Sequence, residues 1–216
     1  MSKIFFPSCK VSSTYKASSD KLNKYIKDKM DIEPIGCCRV NHKQLTQEDT
    51  AIVVCNNCAA IIGESSNVGD IKFVWEIINE DKDFQFPDYH GEKMTIRDCW
   101  IALEKRNVQD AIRSLLSKMN IDYVEMDDNF EKTRYCGAYL LSPCSKANYS
   151  LAPKRYLEDG KDVFSDCTED EKIDKLKEYC KKIKTDKVVC YCKSCTEGIK
   201  TGGKEGIHLI ELLFPA

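Results

Sequence analysis

This chain has no apolar run approaching the ~20 residues that a membrane-spanning helix needs. Its basic residues do not gather into a block interleaved with aromatics, and its formal charge is −2 with an isoelectric point near 6.0. That balance argues against nucleic acid as a partner. Met1-Ser2-Lys3-Ile4-Phe5-Phe6-Pro7 lacks the apolar core and cleavage site of a secretory signal, so a cytoplasmic protein is expected. Glycine forms no phosphate-binding loop, since Gly202-Gly203 has nothing around it to cradle an anion and reads as a turn. Histidine is scarce. His42, His90 and His208 lack the paired spacing of a metal site and read as surface or packing residues.

Cysteine, by contrast, is abundant, with 13 in 216 residues. Disulfides are rare in a reducing cytosol, so such density points to metal or redox chemistry. Two segments carry the pattern. Val53-Val54-Cys55-Asn56-Asn57-Cys58 has a near-copy in Val188-Val189-Cys190-Tyr191-Cys192-Lys193-Ser194-Cys195. Each is an apolar run followed by Cys-x-x-Cys and a short amphipathic segment. The continuations are alike too, Ile71 to Ile78 after the first copy and Ile207 to Phe214 after the second. A repeat of this kind signals a duplicated unit.

Apolar runs and helical periodicity alternate along the chain. Lys3 to Phe6 reads as a buried strand, and Ser18 or Ser19 as the cap of a helix carrying Leu22, Tyr25, Ile26 and Met30 inward. Asp31 to Ile35 is extended, Ala51 to Cys55 a strand and Cys58 to Gly63 a helical turn. The polar stretch Glu80 to Gly91 divides the chain into residues 1–82 and 83–216. In the second unit Lys93 to Ile96 and Ile121 to Met126 read as strands flanking a helix with Val108, Ile112, Leu115, Leu116 and Met119 on one face. Ser142 to Phe164 reads as a loop insertion. Thr168 and Glu171 form a capping box that opens a helix. Lys187 to Cys190 is the last strand and Ile207 to Phe214 the last helix. Strand and helix in alternation predict an α/β fold of two pseudo-symmetric small units with mostly parallel strands. Parallel strands share one carboxyl edge, where sites are built. Cysteines that follow strands therefore converge: Cys9, Cys37-Cys38, Cys55 and Cys58 in the first unit, and Cys99, Cys136, Cys192 and Cys195 in the second.

Neighbouring side chains diverge, so Cys37 and Cys38 suit different irons of one cluster better than one zinc, and five thiols exceed zinc's usual four. Four thiols in the second unit fit a four-iron cluster, a zinc or an altered version of the first site. Tyr135 stands where a second adjacent cysteine would match the first unit, and Cys144 is the alternative fifth ligand. Cys190 competes with Cys192 as the counterpart of Cys55. Cys180 reads as packing, and Cys167 has no assigned role. A metal-free thiol enzyme built on Cys55 and Cys58 leaves the Cys37-Cys38 doublet unexplained.

The order Cys9, Gly36-Cys37-Cys38, Cys55-x-x-Cys58, then Asp98-Cys99, Cys136-Gly137, Cys192-x-x-Cys195 resembles the cysteine-rich CCG domain. That domain occurs twice per chain in the disulfide-cleaving component of heterodisulfide reductase and in related redox proteins. The resemblance spans nearly the whole chain. It implies non-cubane [4Fe-4S] clusters on these nine cysteines and reduction of a small disulfide or similar acceptor. It also implies electrons delivered by a partner that carries iron-sulfur clusters or flavin, since the chain has no closely spaced four-cysteine ferredoxin run. Three features depart from the pattern. The Cys38 to Cys55 interval is short, Arg39 follows Cys38 where the motif has glycine, and Tyr135 replaces a ligand. A non-catalytic assembly module stabilised by zinc or a cluster is the alternative.

Overall fold

Strands buried on both faces need helices above and below them, and parallel order results when a helix links each strand to the next. A computed structural model describes residues 2–137, 145–164 and 166–216 and follows this logic in an α/β architecture. The first sheet holds β1 (Ser2–Phe6), β2 (Asp49–Val53) and β3 (Asp70–Phe73) in that order, all parallel. The second holds β4 (Glu92–Arg97), β5 (Ile121–Val124), β6 (Lys187–Cys190) and β7 (Glu205–His208) in the order β5-β4-β6-β7, again parallel.

The two sheets share a plan. Phe6, Val53 and Phe73 lie side by side at the ends of the first three strands, and Arg97, Cys190 and His208 occupy the same register in the second sheet. The additional strand β5 also has a counterpart. The extended segment after residue 31 runs parallel to β1 through a Phe5–Pro34 bridge, and the Ile35 N–H donates to the Phe5 carbonyl at 2.9 Å. This register decides which cysteine matches Cys55. Cys190 is the last strand residue and corresponds to Val53, so Cys192 is the counterpart.

Between the strands lie α1 (Cys9–Thr14), α2 (Lys16–Met30), α3 (Cys38–Asn41), α4 (Asn56–Ser65), α5 (Val74–Glu80), α6 (Arg106–Lys118), α7 (Lys146–Leu151), α8 (Glu169–Cys180), α9 (Lys193–Thr201) and α10 (Leu209–Leu213). Several boundaries differ from the sequence reading. Helix α2 starts before Ser18 and Ser19, which are buried within it rather than capping it. Strand β2 ends at Val53, which frees Cys55 to cap the ten-residue α4. The stretch from Ile207 to Phe214 is not a single helix: strand β7 occupies its start and α10 its end, and the matching stretch from Ile71 splits the same way into β3 and α5. Both helices open with a glutamate side chain accepting from the backbone N–H three residues earlier, Glu76 from Phe73 at 2.9 Å and Glu211 from His208 at 3.2 Å. The sequence hides this split because a short apolar run carries both periods at once. The Thr168–Glu171 capping box is present.

The units pack reciprocally. Helix α5, which ends the first unit, lies against α6, which opens the second, and α10 returns against α2. Tyr25 of α2 and Phe84 of the linker pack on Phe214, and the Tyr15 ring lies 4.8 Å from the His208 ring. The stretch read as a loop insertion contains α7 and a π-helical turn over Lys154–Glu158 within its described part, residues 145–164. Among the described residues, no helix is long and apolar enough to cross a membrane.

Candidate metal centre

Each thiol of the first unit is set at the start of a helix. Cys9 begins α1, and the preceding Ser8 holds a left-handed φ of 65°, a conformation a non-glycine residue adopts only where the surroundings impose it. Gly36, with φ 100°, turns the chain so that Cys37 caps α3 and Cys38 opens it. Cys55 caps α4 and Cys58 follows three residues on, so both thiols sit at one helix end. A helix N-terminus presents N–H groups and a partial positive charge, which favour thiolate.

The five thiols form a hydrogen-bonded pair and a trio, with Cys38 near enough to Cys9 for its charge to act there. The Cys9 thiol reaches Cys37, Cys38 reaches Cys58, and Cys58 reaches Cys55. The doublet does diverge, with Cys37 turned to Cys9 and Cys38 to the Cys-x-x-Cys pair. Hydrogen bonding from Cys58 pulls Cys38 and Cys55 below the ordinary thiol value, more strongly than burial opposes. The same bonds push Cys58 well above it. Burial, followed by the charge of Cys37, raises Cys9.

In the second unit the Sγ atoms of Cys99, Cys192 and Cys195 all lie within 4.8 Å of one another, the one such group of metal-capable side chains among the described residues. Zinc–thiolate bonds of ~2.3 Å at tetrahedral angles separate sulfurs by about 3.8 Å, so this buried triad can bind a metal ion with little movement. Cys99 accepts from both Cys192 and Cys195, which takes it down to about 5 against the effect of burial. Cys192 gains from the Cys195 thiol, yet its bond to Cys99 and its burial outweigh that and take it up to about 12. Cys136 lies close enough for its charge to act on Cys99. Nine cysteines expected from the sequence thus gather into two groups, five and four.

A network of buried charge backs the second group. Asp98, fully buried, accepts from Arg113 at 2.8 and 3.0 Å, from the Tyr191 hydroxyl at 2.9 Å and from the Phe130 N–H at 2.8 Å. The Cys99 N–H donates to that same Tyr191 hydroxyl at 3.3 Å. One carboxylate therefore orients both the Cys99 loop and the residue between Cys190 and Cys192. Tyr135 is buried, and burial, followed by the nearby charges of Cys195 and Cys190, raises its hydroxyl. Its ring stacks on Tyr179 at 4.5 Å, with the Arg97 guanidinium 5.1 Å from its centroid. The alternative fifth ligand Cys144 lies outside the described residues. Cys180 and Cys190 are buried beside this core, and burial raises both thiols. His42 and His208 are buried packing residues, and His90 is exposed.

The two groups open on one cavity of about 120 Å3, several times the ~10–15 Å3 that one water requires. All five first-unit thiols line it, and so do Cys136 and Cys192 of the second unit. Cys55 and Cys192 are near enough to feel each other's charge. The inserted segment closes over this space. Asn148 and Tyr156 line the cavity, the Tyr156 hydroxyl donates to Asn57, and the Glu64 carboxylate accepts from the Lys154 and Arg155 N–H groups at 2.8 and 3.0 Å. Nothing in the composition of residues 145–164 marks them as part of the site; only their docking on α4 does.

The fold and site define a parallel α/β protein of two similarly built units whose cysteine groups both reach one cavity. Comparison with family models, with curated proteins and with solved structures finds no match to this chain.

Proposed function

We propose that this chain is an iron-sulfur redox protein resembling the CCG-domain component of heterodisulfide reductase, passing electrons from a partner protein to a disulfide or similar acceptor. The observation that supports the reading is the convergence of the five first-unit thiols and two of the second unit's four, Cys136 and Cys192, on one cavity, with Cys99 and Cys195 grouped with Cys192. The donor set fits. Cys9, Cys37, Cys38, Cys55 and Cys58 are soft sulfur ligands in excess of a single tetrahedral ion, and the doublet turns its two sulfurs toward different neighbours. Cys99, Cys136, Cys192 and Cys195 would hold a second centre, a four-iron cluster or zinc. A bound cluster would supply one-electron transfer beside a pocket that admits a small sulfur compound. In this reading the protein's own residues bind the acceptor, while Asp98 and Tyr191 hold the Cys99 loop in place. Electrons come from an iron-sulfur or flavin protein docked to the chain.

Anaerobic purification should yield a brown protein with several irons and acid-labile sulfides per chain. A colourless protein that holds only zinc after anaerobic reconstitution would overturn the reading. The second reading, a non-catalytic module stabilised by zinc or a cluster, is favoured by one observation: Tyr135 is committed to packing where a thiol would complete a five-ligand second site. Cys37→Ser separates the two. A redox protein keeps its fold and changes its cluster spectrum, whereas a scaffold loses thermal stability.

A further inference from the structure

Among the described residues three cations, Lys10, Arg39 and Lys193, line the thiol cavity, and no aspartate or glutamate does. They are not equivalent. Lys193 is paired with Glu197 one turn along α9. Among the described residues Arg39 has no carboxylate partner; its Nη2 instead donates to the neutral Oδ1 of Asn148 at 2.6 Å. Asn148 belongs to the segment that closes over the cavity and is itself buried. The guanidinium is therefore held beside Cys38 by an amide that orients it without cancelling its charge. A planar donor fork kept clear of carboxylates is suited to a bidentate oxyanion. Neutralising the thiolates alone would not require a fork held by an amide at the mouth, where the nearby thiols Cys9 and Cys37 are exposed and half-buried.

From this geometry we propose that Arg39 is the anchor for an anionic group, carboxylate, sulfonate or phosphate, on the small molecule that enters the thiol cavity. Asn148 is its positioning residue. The inference rests on the redox reading and deepens it, since it names the charge of the acceptor, but it can be tested without any cluster. In the metal-free, reduced full-length chain, alkylation of cavity thiols by iodoacetate and by iodoacetamide is followed by peptide mass mapping. The two probes differ in charge and share their chemistry, and Cys167, in a polar stretch away from the cavity, serves as the internal control.

The ratio of iodoacetate to iodoacetamide rates at Cys9 and Cys37 should exceed that at Cys167. It should fall about tenfold in Arg39→Gln, the scale of one charge-assisted contact, and largely survive in Arg39→Lys. Asn148→Asp, which sets a carboxylate against the guanidinium while keeping Arg39, should produce the same fall. That variant carries the test if Arg39→Gln fails to fold. A ratio equal to that of Cys167, or one unchanged in both Arg39→Gln and Asn148→Asp, overturns the proposal. In the anaerobically reconstituted protein, 3-mercaptopropionate should perturb the visible spectrum at about tenfold lower concentration than 2-mercaptoethanol, and Arg39→Gln should erase the difference. A protein that takes up no iron but shows the alkylation preference refutes the redox reading alone. An iron-loaded protein without the preference refutes only the anion anchor.

Discussion

At the scale of single residues, the contrast between matched positions of the two units is informative. Phe73 and His208 occupy the same register, each ending a strand and capping a helix. His208 is fully buried. Its Nδ1 accepts from the Ile210 N–H at 3.2 Å, so the ring is a neutral imidazole packed against Tyr15 and Trp75. Burial, with a smaller contribution from Lys200, lowers it to about 3. The folded value lies below the unfolded one, so the unfolded chain binds the proton first as pH falls. The stability this group contributes is complete above about pH 6.5 and declines below it, by at most ~1.4 kcal/mol per pH unit until about pH 3. Urea unfolding of the metal-free chain between about pH 7 and 5 should show this slope, and His208→Phe, which installs the residue of the other unit, should flatten it. An unchanged slope would place the titration elsewhere.

At the scale of elements, the approach of the Cys136 segment to α9 sets the second thiol group. Gly137 and Gly198 pass at backbone contact: a methyl on Gly198 would lie 2.2 Å from the Gly137 Cα and 2.6 Å from the Tyr135 hydroxyl. No side chain can be accommodated there without separating Cys136 from the helix that carries Cys195. Gly198→Ala should destabilise the protein by about 1–3 kcal/mol, the cost of overpacking. It should also lower metal content at the second group while leaving the first group's metal intact. Thermal melts and metal analysis of the variant, alone and combined with Cys37→Ser, check both effects. The helix-start placement of Cys37, Cys55, Cys99 and Cys192 belongs to the same scale. Each is the extended residue just before a helix, so the chain turns and presents sulfur and N–H groups toward one edge.

At the scale of the whole molecule, neither unit packs alone. Helix α5 rests on α6 and α10 on α2, so each unit lends its terminal helix to the other's first long helix. Shared burial of this kind couples their unfolding. The chain carries its own probes, since Trp75 and Trp100 lie one in each unit and both are fully buried. Trp100→Phe leaves Trp75 to report on the first unit, and Trp75→Phe leaves Trp100 to report on the second. In the reduced, metal-free chain both should give one urea transition with coincident midpoints after correction for each variant's stability. Two separated midpoints would show the units to be independent domains.

The amino-acid sequence by itself determined the α/β class with two parallel-stranded units and pointed to the cysteines that follow the strands, because strand periods, helix caps and Cys-x-x-Cys spacing are local and survive in one dimension. It left the β3 and β7 strands hidden inside apolar runs that continue into helices, and it left Cys190 and Cys192 as rivals. Register decided both, and register is set by the neighbouring strands a segment pairs with, not by the segment itself. The cavity was decided only in three dimensions. Asn148 and Tyr156 reach it from an insertion with no periodicity to read, and Arg39 gains its meaning from an amide 109 residues away. Spacing along a chain shows which thiols share an edge, but what faces them across the gap depends on how whole elements dock.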